Sequence, residues 1–196
     1  MLLTEGVVNS VANAITPDGT RVIARVAGAD SRQDLVTVPL DGDAGVEPLV
    51  STEFNERNAA ISPDGAWVAF QSIESGQHEV YVHPFPDVEA GRWQVSTMGG
   101  QDPVWSHDGG ELFFVQGTQL MAATVRADTT FAWDTPEMLL DGDYFFGGTG
   151  RNFDVAPDGR LLMIKDIDQS TGDESSQQIN VVLNWFEELT ARVPVN

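Results

Sequence analysis

Apolar residues in this chain fall in short runs, and clusters of Gly, Pro, Asp, Ser and Thr interrupt them every few positions. Trp67-Val68-Ala69-Phe70, Glu111-Leu112-Phe113-Phe114 and Glu79-Val80-Tyr81-Val82-His83 are rich in aromatic and β-branched residues. Such runs are too short for core helices and predict strands. One turn motif stands between the first two strands of each group: Thr16-Pro17-Asp18-Gly19, Ser62-Pro63-Asp64-Gly65, Ser106-His107-Asp108-Gly109 and Ala156-Pro157-Asp158-Gly159. Proline presets φ at its first central position, Asp accepts from backbone amides ahead of it, and Gly supplies positive φ. The motif returns about every 44 to 50 residues, the period of a four-stranded propeller blade.

Each repeat reads as the same unit. A short strand such as Asn58–Ile61 or Asp102–Trp105 leads into the turn, and a second strand follows it. Third strands fall at Asp34–Val38, Glu79–His83, Gln119–Ala123 and Ile179–Leu183, and fourth strands at Pro48–Thr52, Trp93–Thr97 and Glu137–Leu140. The last repeat has no fourth strand, while Leu2-Leu3-Thr4-Glu5 stands alone at the other end. The pattern therefore predicts an all-β protein, a β-propeller with four four-stranded blades per chain. Blades are expected at 7–52, 53–97, 98–141 and 142–185, in one domain over 1–196, with the strand at 1–6 completing the last blade. The ring closes alone, or two chains form a homodimer with exchanged terminal strands and pool their blades; a third option is a share of a larger propeller. Trp185 to Val193 places Phe186, Leu189 and Val193 at helical spacing and predicts a short C-terminal helix.

Composition narrows the partners. Thirty acidic against 10 basic residues give a net charge of −20, which repels phosphate backbones and anionic lipid, so no nucleic acid is expected. Basic partners or cations suit that charge better. The absence of cysteine excludes disulfides, thiolate metal sites and a Cys nucleophile. The first residues lack a basic, then apolar, signal pattern, and no run approaches the roughly 18 apolar residues of a membrane span, so a soluble chain without a span is expected.

Catalytic patterns are sparse. His78, His83 and His107 belong to a loop, a strand end and a turn of two different repeats, so surface histidines rather than a metal site are expected. There is no G-x-S-x-G, and Ser62 and Ser106 occupy repeated turn positions. Asp41-Gly42-Asp43 and Asp141-Gly142-Asp143 lack the further ligands of a calcium loop and read as acidic hairpin turns. No cofactor is expected. Trp67, Phe70, Trp105, Phe113, Phe114 and Trp133 are expected to pack between blades, and Tyr144-Phe145-Phe146-Gly147-Gly148 to form an exposed contact patch.

The channel mouth holds the candidate ligand site. Four and five residues before each turn stand Ala12, Asn58, Asp102, Asn152 and Val11, Arg57, Gln101, Arg151. Arg57, Asn58, Gln101, Asp102, Arg151 and Asn152 thus put converging polar groups at the propeller axis, the kind of concavity that binds ligands. Pairing of the two arginines with Glu56 and Asp154 in a solvent-filled channel is the plainer outcome.

The run N-A-A-I-S-P-D-G-A-W-V-A-F, Asn58 to Phe70, resembles the TolB-type propeller repeat. Glu79–Pro86 (E-V-Y-V-H-P-F-P), Arg92–Gly100 (R-W-Q-V-S-T-M-G-G) and Gln178–Leu189 (Q-I-N-V-V-L-N-W-F-E-E-L) resemble the carboxy-terminal propeller region of bacterial receptor-type serine/threonine kinases. That resemblance implies an extracytoplasmic sensory or protein-binding module of a signalling protein, which takes a protein, peptide or small ligand at its channel face. The chain has no Gly-rich loop, V-A-I-K, H-R-D or D-F-G, so kinase activity does not carry over. His107 replaces the proline of the usual turn. A non-catalytic binding or scaffold domain is the expectation; the alternative is a propeller hydrolase with two carboxylates across the channel.

Overall fold

The computed structural model describes residues 10–28, 32–40, 45–126, 130–147 and 150–165. They form antiparallel sheets arranged as successive blades. Blade 1 contains β1 (Ser10–Ile15), β2 (Arg21–Ala27), β3 (Gln33–Pro39) and β4 (Glu47–Val50). Blade 2 contains β5 (Glu56–Ile61), β6 (Trp67–Ser72), β7 (Glu79–Pro84) and β8 (Trp93–Gln94), with a short 3-10 turn at Val88–Ala90 before β8. Blade 3 is β9 (Gln101–Trp105), β10 (Glu111–Gln116), β11 (Gln119–Thr124) and β12 (Glu137–Asp141). Blade 4 is represented by β13 (Phe153–Val155) and β14 (Leu161–Met163). In every blade neighbouring strands are consecutive in sequence, so each sheet is a meander.

The four repeated turns form as their chemistry demands. Gly19, Gly65, Gly109 and Gly159 have φ of 70°, 73°, 74° and 81°, and each donates its amide to the carbonyl of the first turn residue. In three turns the first hydroxyl donates to the aspartate, from Thr16 to Asp18, Ser62 to Asp64 and Ser106 to Asp108, at 2.6, 2.5 and 2.7 Å. The same hydroxyl oxygen accepts the amide of the residue that opens the next strand: Arg21, Trp67 or Glu111. Ala156 has no hydroxyl, and its amide bonds Arg160 O, one residue nearer than in the other turns. His107 in place of proline leaves the third turn with the geometry of the others.

Three apolar cores lie between blades. Ile23, Leu35 and Val50 of blade 1 meet Val68, Phe70 and Tyr81 of blade 2. Trp67, Val80 and Val82 of blade 2 meet Trp105, Leu112 and Phe114 of blade 3, and Val104, Phe113 and Leu120 of blade 3 meet Phe153, Leu161 and Met163 of blade 4. Phe131, 3% exposed, wedges among Trp67, Trp93, Trp105 and Trp133, with ring centroids 5.4 to 6.2 Å apart. The expected packing role of the aromatic residues is thus met, and Trp105 adds a hydrogen bond from its indole to Ala60 O across the blades.

Substantial packing between sheets joins consecutive blades. The strands expected at Leu2–Glu5 and Ile179–Leu183 and the helix after Trp185 lie outside the described residues, as does Asp41-Gly42-Asp43. Asp141 accepts from Thr118 and Gln119 at 3.0 Å each across the β11–β12 pairing; it ends the last strand of blade 3, so Asp141-Gly142-Asp143 leads from one blade towards the next and is not the hairpin turn expected there. Among the described residues no helix is long and apolar enough to cross a membrane.

Candidate functional site

Bulges in the innermost strands build the site. The β5–β6 pairing slips between Arg57 and Ala60, and the β9–β10 pairing slips between Gln101 and Val104. At those slips Asn58 and Asp102 both take φ of 52°, the left-handed region that Asn and Asp tolerate better than other side-chain-bearing residues. The same distortion at the same repeat position turns the Asn58 and Asp102 side chains toward each other. Buried Pro103, inside the second bulge, has no amide to offer a ladder there.

A hydrogen-bonded chain then links blades 2 and 3. Asn58 Nδ2 donates to Asp102 Oδ1 and, at 3.0 Å, to Gln71 Oε1. Gln71 Oε1 also accepts the Asp102 amide at 3.0 Å, and Gln71 Nε2 lies 3.4 Å from His78 Nδ1. Gln71 is 2% exposed, so its amide is fixed from both ends. Beside this chain opens a small hollow with a volume of about 60 Å³, room for a few waters or a small polar group. Arg57, Asn58, Gln71, Gln101 and Asp102 supply its polar wall, and Val115, Phe146 and Gly147 its less polar side.

Arg57, Asn58, Gln101 and Asp102 therefore meet in one pocket, as their repeat positions suggested. Arg151 and Asn152, expected in the same site, are not among the residues that line it. Arg151 lies 3.9 Å from Asp154, and Asn152 Nδ2 donates to the carbonyls of Gly147 and Gly150, holding the loop that supplies Phe146 and Gly147. Arg57 does not pair with Glu56. Glu56, 1% exposed, accepts instead from Thr52 and Ser72, because it begins β5 on the side facing those hydroxyls. Arg57 Nε is buried without a hydrogen-bond partner among the described residues.

The electrostatics follow from burial. Desolvation pushes the Asp102 carboxyl above its ordinary range, opposed by the Asn58 hydrogen bond and then by the charge of Arg151. Burial and then the nearby Arg57 charge hold His78 below the usual histidine range. Burial and then Arg57 also lower Arg25, which is 9% exposed on β2. Asp102 is the one carboxylate among the residues lining this pocket.

Several expectations need correcting. His78 and His83 are not simple surface residues: His83 Nδ1 lies 3.0 Å from Val88 O, and its ring packs on Phe70 at 5.0 Å. In the Tyr144–Gly148 stretch, Phe145 is exposed, while Tyr144 and Phe146 pack on the core between blades 3 and 4, because the Tyr144–Lys165 bridge draws that loop against the sheet. Gln71 escaped the sequence reading. Its trace was the first polar side chain after the apolar run Trp67–Phe70, opposite Arg57 in the ladder. Among the described residues, no group of three or more His, Asp or Glu is placed to hold a metal ion.

Meander blades packed side by side, with polar residues at their inner strand ends, are the architecture of a β-propeller. No family model matches the chain, and no curated protein matches it. A protein solved as a TolB of Agrobacterium tumefaciens superposes with a TM-score of 0.63 at 20% identity, over 81% of this chain and 58% of that one. A puromycin-hydrolysing peptidase of Mycobacterium tuberculosis gives 0.61 at 19% identity, over 82% of this chain and 28% of its own. A periplasmic gluconolactonase of Pseudomonas aeruginosa gives 0.54 at 16% identity, over 86% of this chain and 55% of its own. The chain spans less than two thirds of each of these proteins, and at these identities the likeness is one of fold.

Proposed function

We propose that this chain is a non-catalytic β-propeller binding module that takes a protein, peptide or small ligand at the channel-mouth pocket. The observation that carries the reading is the pocket's wall: five polar residues from two blades, of which Asn58, Gln71 and Asp102 are joined by a continuous hydrogen-bond chain, with the Arg57 Nε left uncommitted. Rigid, converging donors and acceptors favour recognition. Two-carboxylate hydrolysis needs a second acid across the scissile bond, and Asp102 has none beside it in this pocket. The structural neighbours include both a TolB and hydrolases, and the pocket's single carboxylate supports the binding reading.

The kinase-region resemblance of Glu79–Pro86 and Arg92–Gly100 supports a place in a bacterial signalling protein, as the extracytoplasmic sensing part. We take 1–196 as one propeller domain. Apolar side chains left open on the end blades, Ile15 at 59% and Leu162 at 44% exposure, support completion of the ring by a second copy.

The test is a ligand-observed NMR screen of small polar metabolites and short peptides against wild type and the Asn58→Ala variant. Hits that lose binding in the variant support the pocket. Hits converted to product would move the assignment to a hydrolase, and hits indifferent to Asn58 would place recognition elsewhere.

A further inference from the structure

The pocket holds two opposite charges that do not neutralise each other. Arg57 and Asp102 both line it, yet neither takes part in any ion pair among the described residues. Among the described residues the Arg57 guanidinium has no hydrogen-bond partner, and its Nε is buried. Asp102 uses Oδ1 to accept from Asn58, and among the described residues Oδ2 has no donor. A partly buried charge with no partner is unfavourable, and two of them in one hollow are met together by a ligand carrying the complementary pair.

We infer that the pocket receives a small zwitterion, an α-amino acid whose carboxylate is held by Arg57 and whose ammonium group is held by Asp102. The inference rests on the binding reading above and names its ligand class. A guanidinium fork matches a carboxylate in shape and charge. Arg25 of blade 1, close enough to Arg57 for the two charges to interact, strengthens the positive side. The Arg151 charge acts on Asp102, but Arg151 makes no ion pair with it and lies 3.9 Å from Asp154, so the carboxylate is left open to a cation. The volume of about 60 Å³ admits only a small side chain, which would lie along Val115 and Phe146. Gln71 and Asn58 are committed to the interblade chain, which keeps Asp102 at a fixed station.

Titration of the intact chain with glycine, acetate and glycinamide tests this, followed through the amide resonances of Gln101 and Gly147. Acetate lacks the ammonium and glycinamide lacks the carboxylate. Glycine is expected to bind about tenfold or more tighter than either. Asp102→Asn should reduce glycine to the level of acetate without weakening acetate, and Arg57→Met should weaken glycine and acetate but not glycinamide. Acetate binding as well as glycine would make this an anion site and overturn the inference, as would glycinamide equalling glycine. Failure of all three probes also overturns it; a non-zwitterionic hit from the NMR screen that depends on Asn58 would then leave the binding reading standing. Because the comparison among probes is made on wild type, it does not depend on either variant folding.

Discussion

Ser62 carries more than its place in a surface turn suggests. It is 2% exposed, donates to Asp64 and accepts the Trp67 amide. Ser62→Ala leaves that buried amide without its side-chain partner, and we expect a loss of about 1–3 kcal/mol in urea unfolding. Asp102 gives a pH signature. Its pKa is raised in the fold, so its contribution to stability is full below the unfolded carboxylate value near 4 and is lost as pH rises through the folded value. Asp102→Asn removes that dependence, so the variant's melting temperature should gain on wild type between about pH 4 and pH 7. A variant that loses ground to wild type as pH rises would contradict it. Asp18, Asp108 and Asp158 act with the opposite sign. Turn hydrogen bonds hold their pKa values down, led by a side-chain hydroxyl at Asp18 and Asp108 and by the Arg160 amide at Asp158, and the stability they add is lost as pH falls.

Between elements, the blades are joined more by aromatic packing than by backbone bonds. Phe131 reaches from the β11–β12 connection into the core between blades 2 and 3 and touches four tryptophans. Phe131→Ala should cost about 3–5 kcal/mol, with a blue-shifted or broadened tryptophan signal lost early in denaturant titration. A near-neutral result would mean that the blades hold together without it. The strand assignments were legible because a period of two and a repeated turn fix register locally. The bulges were not: a slip of one residue at Asn58 or Asp102 is set by how the inner strand must curve at the axis. Hence the sequence could put both residues at the mouth, but not say that Asn58 bonds Asp102 or that Gln71 closes the chain between them.

For the whole molecule, charge and closure matter most. At a net charge of −20 the fold opposes its own compaction, so the melting temperature should rise as salt is added from low to physiological ionic strength. If a second copy completes the ring, solution mass should be that of a dimer, and Ile15→Asp with Leu162→Asp should return it to a monomer. A wild-type monomer would dismiss pooled blades.

The sequence by itself determined the all-β class, the four turns and the position of the polar ring, because turn chemistry and strand alternation act over a few residues. Tertiary structure decided what those positions do. Only when blade 2 meets blade 3 do Arg57 and Asp102 share a pocket while remaining unpaired, since burial and contact across blades depend on how sheets pack and not on the order of residues within them.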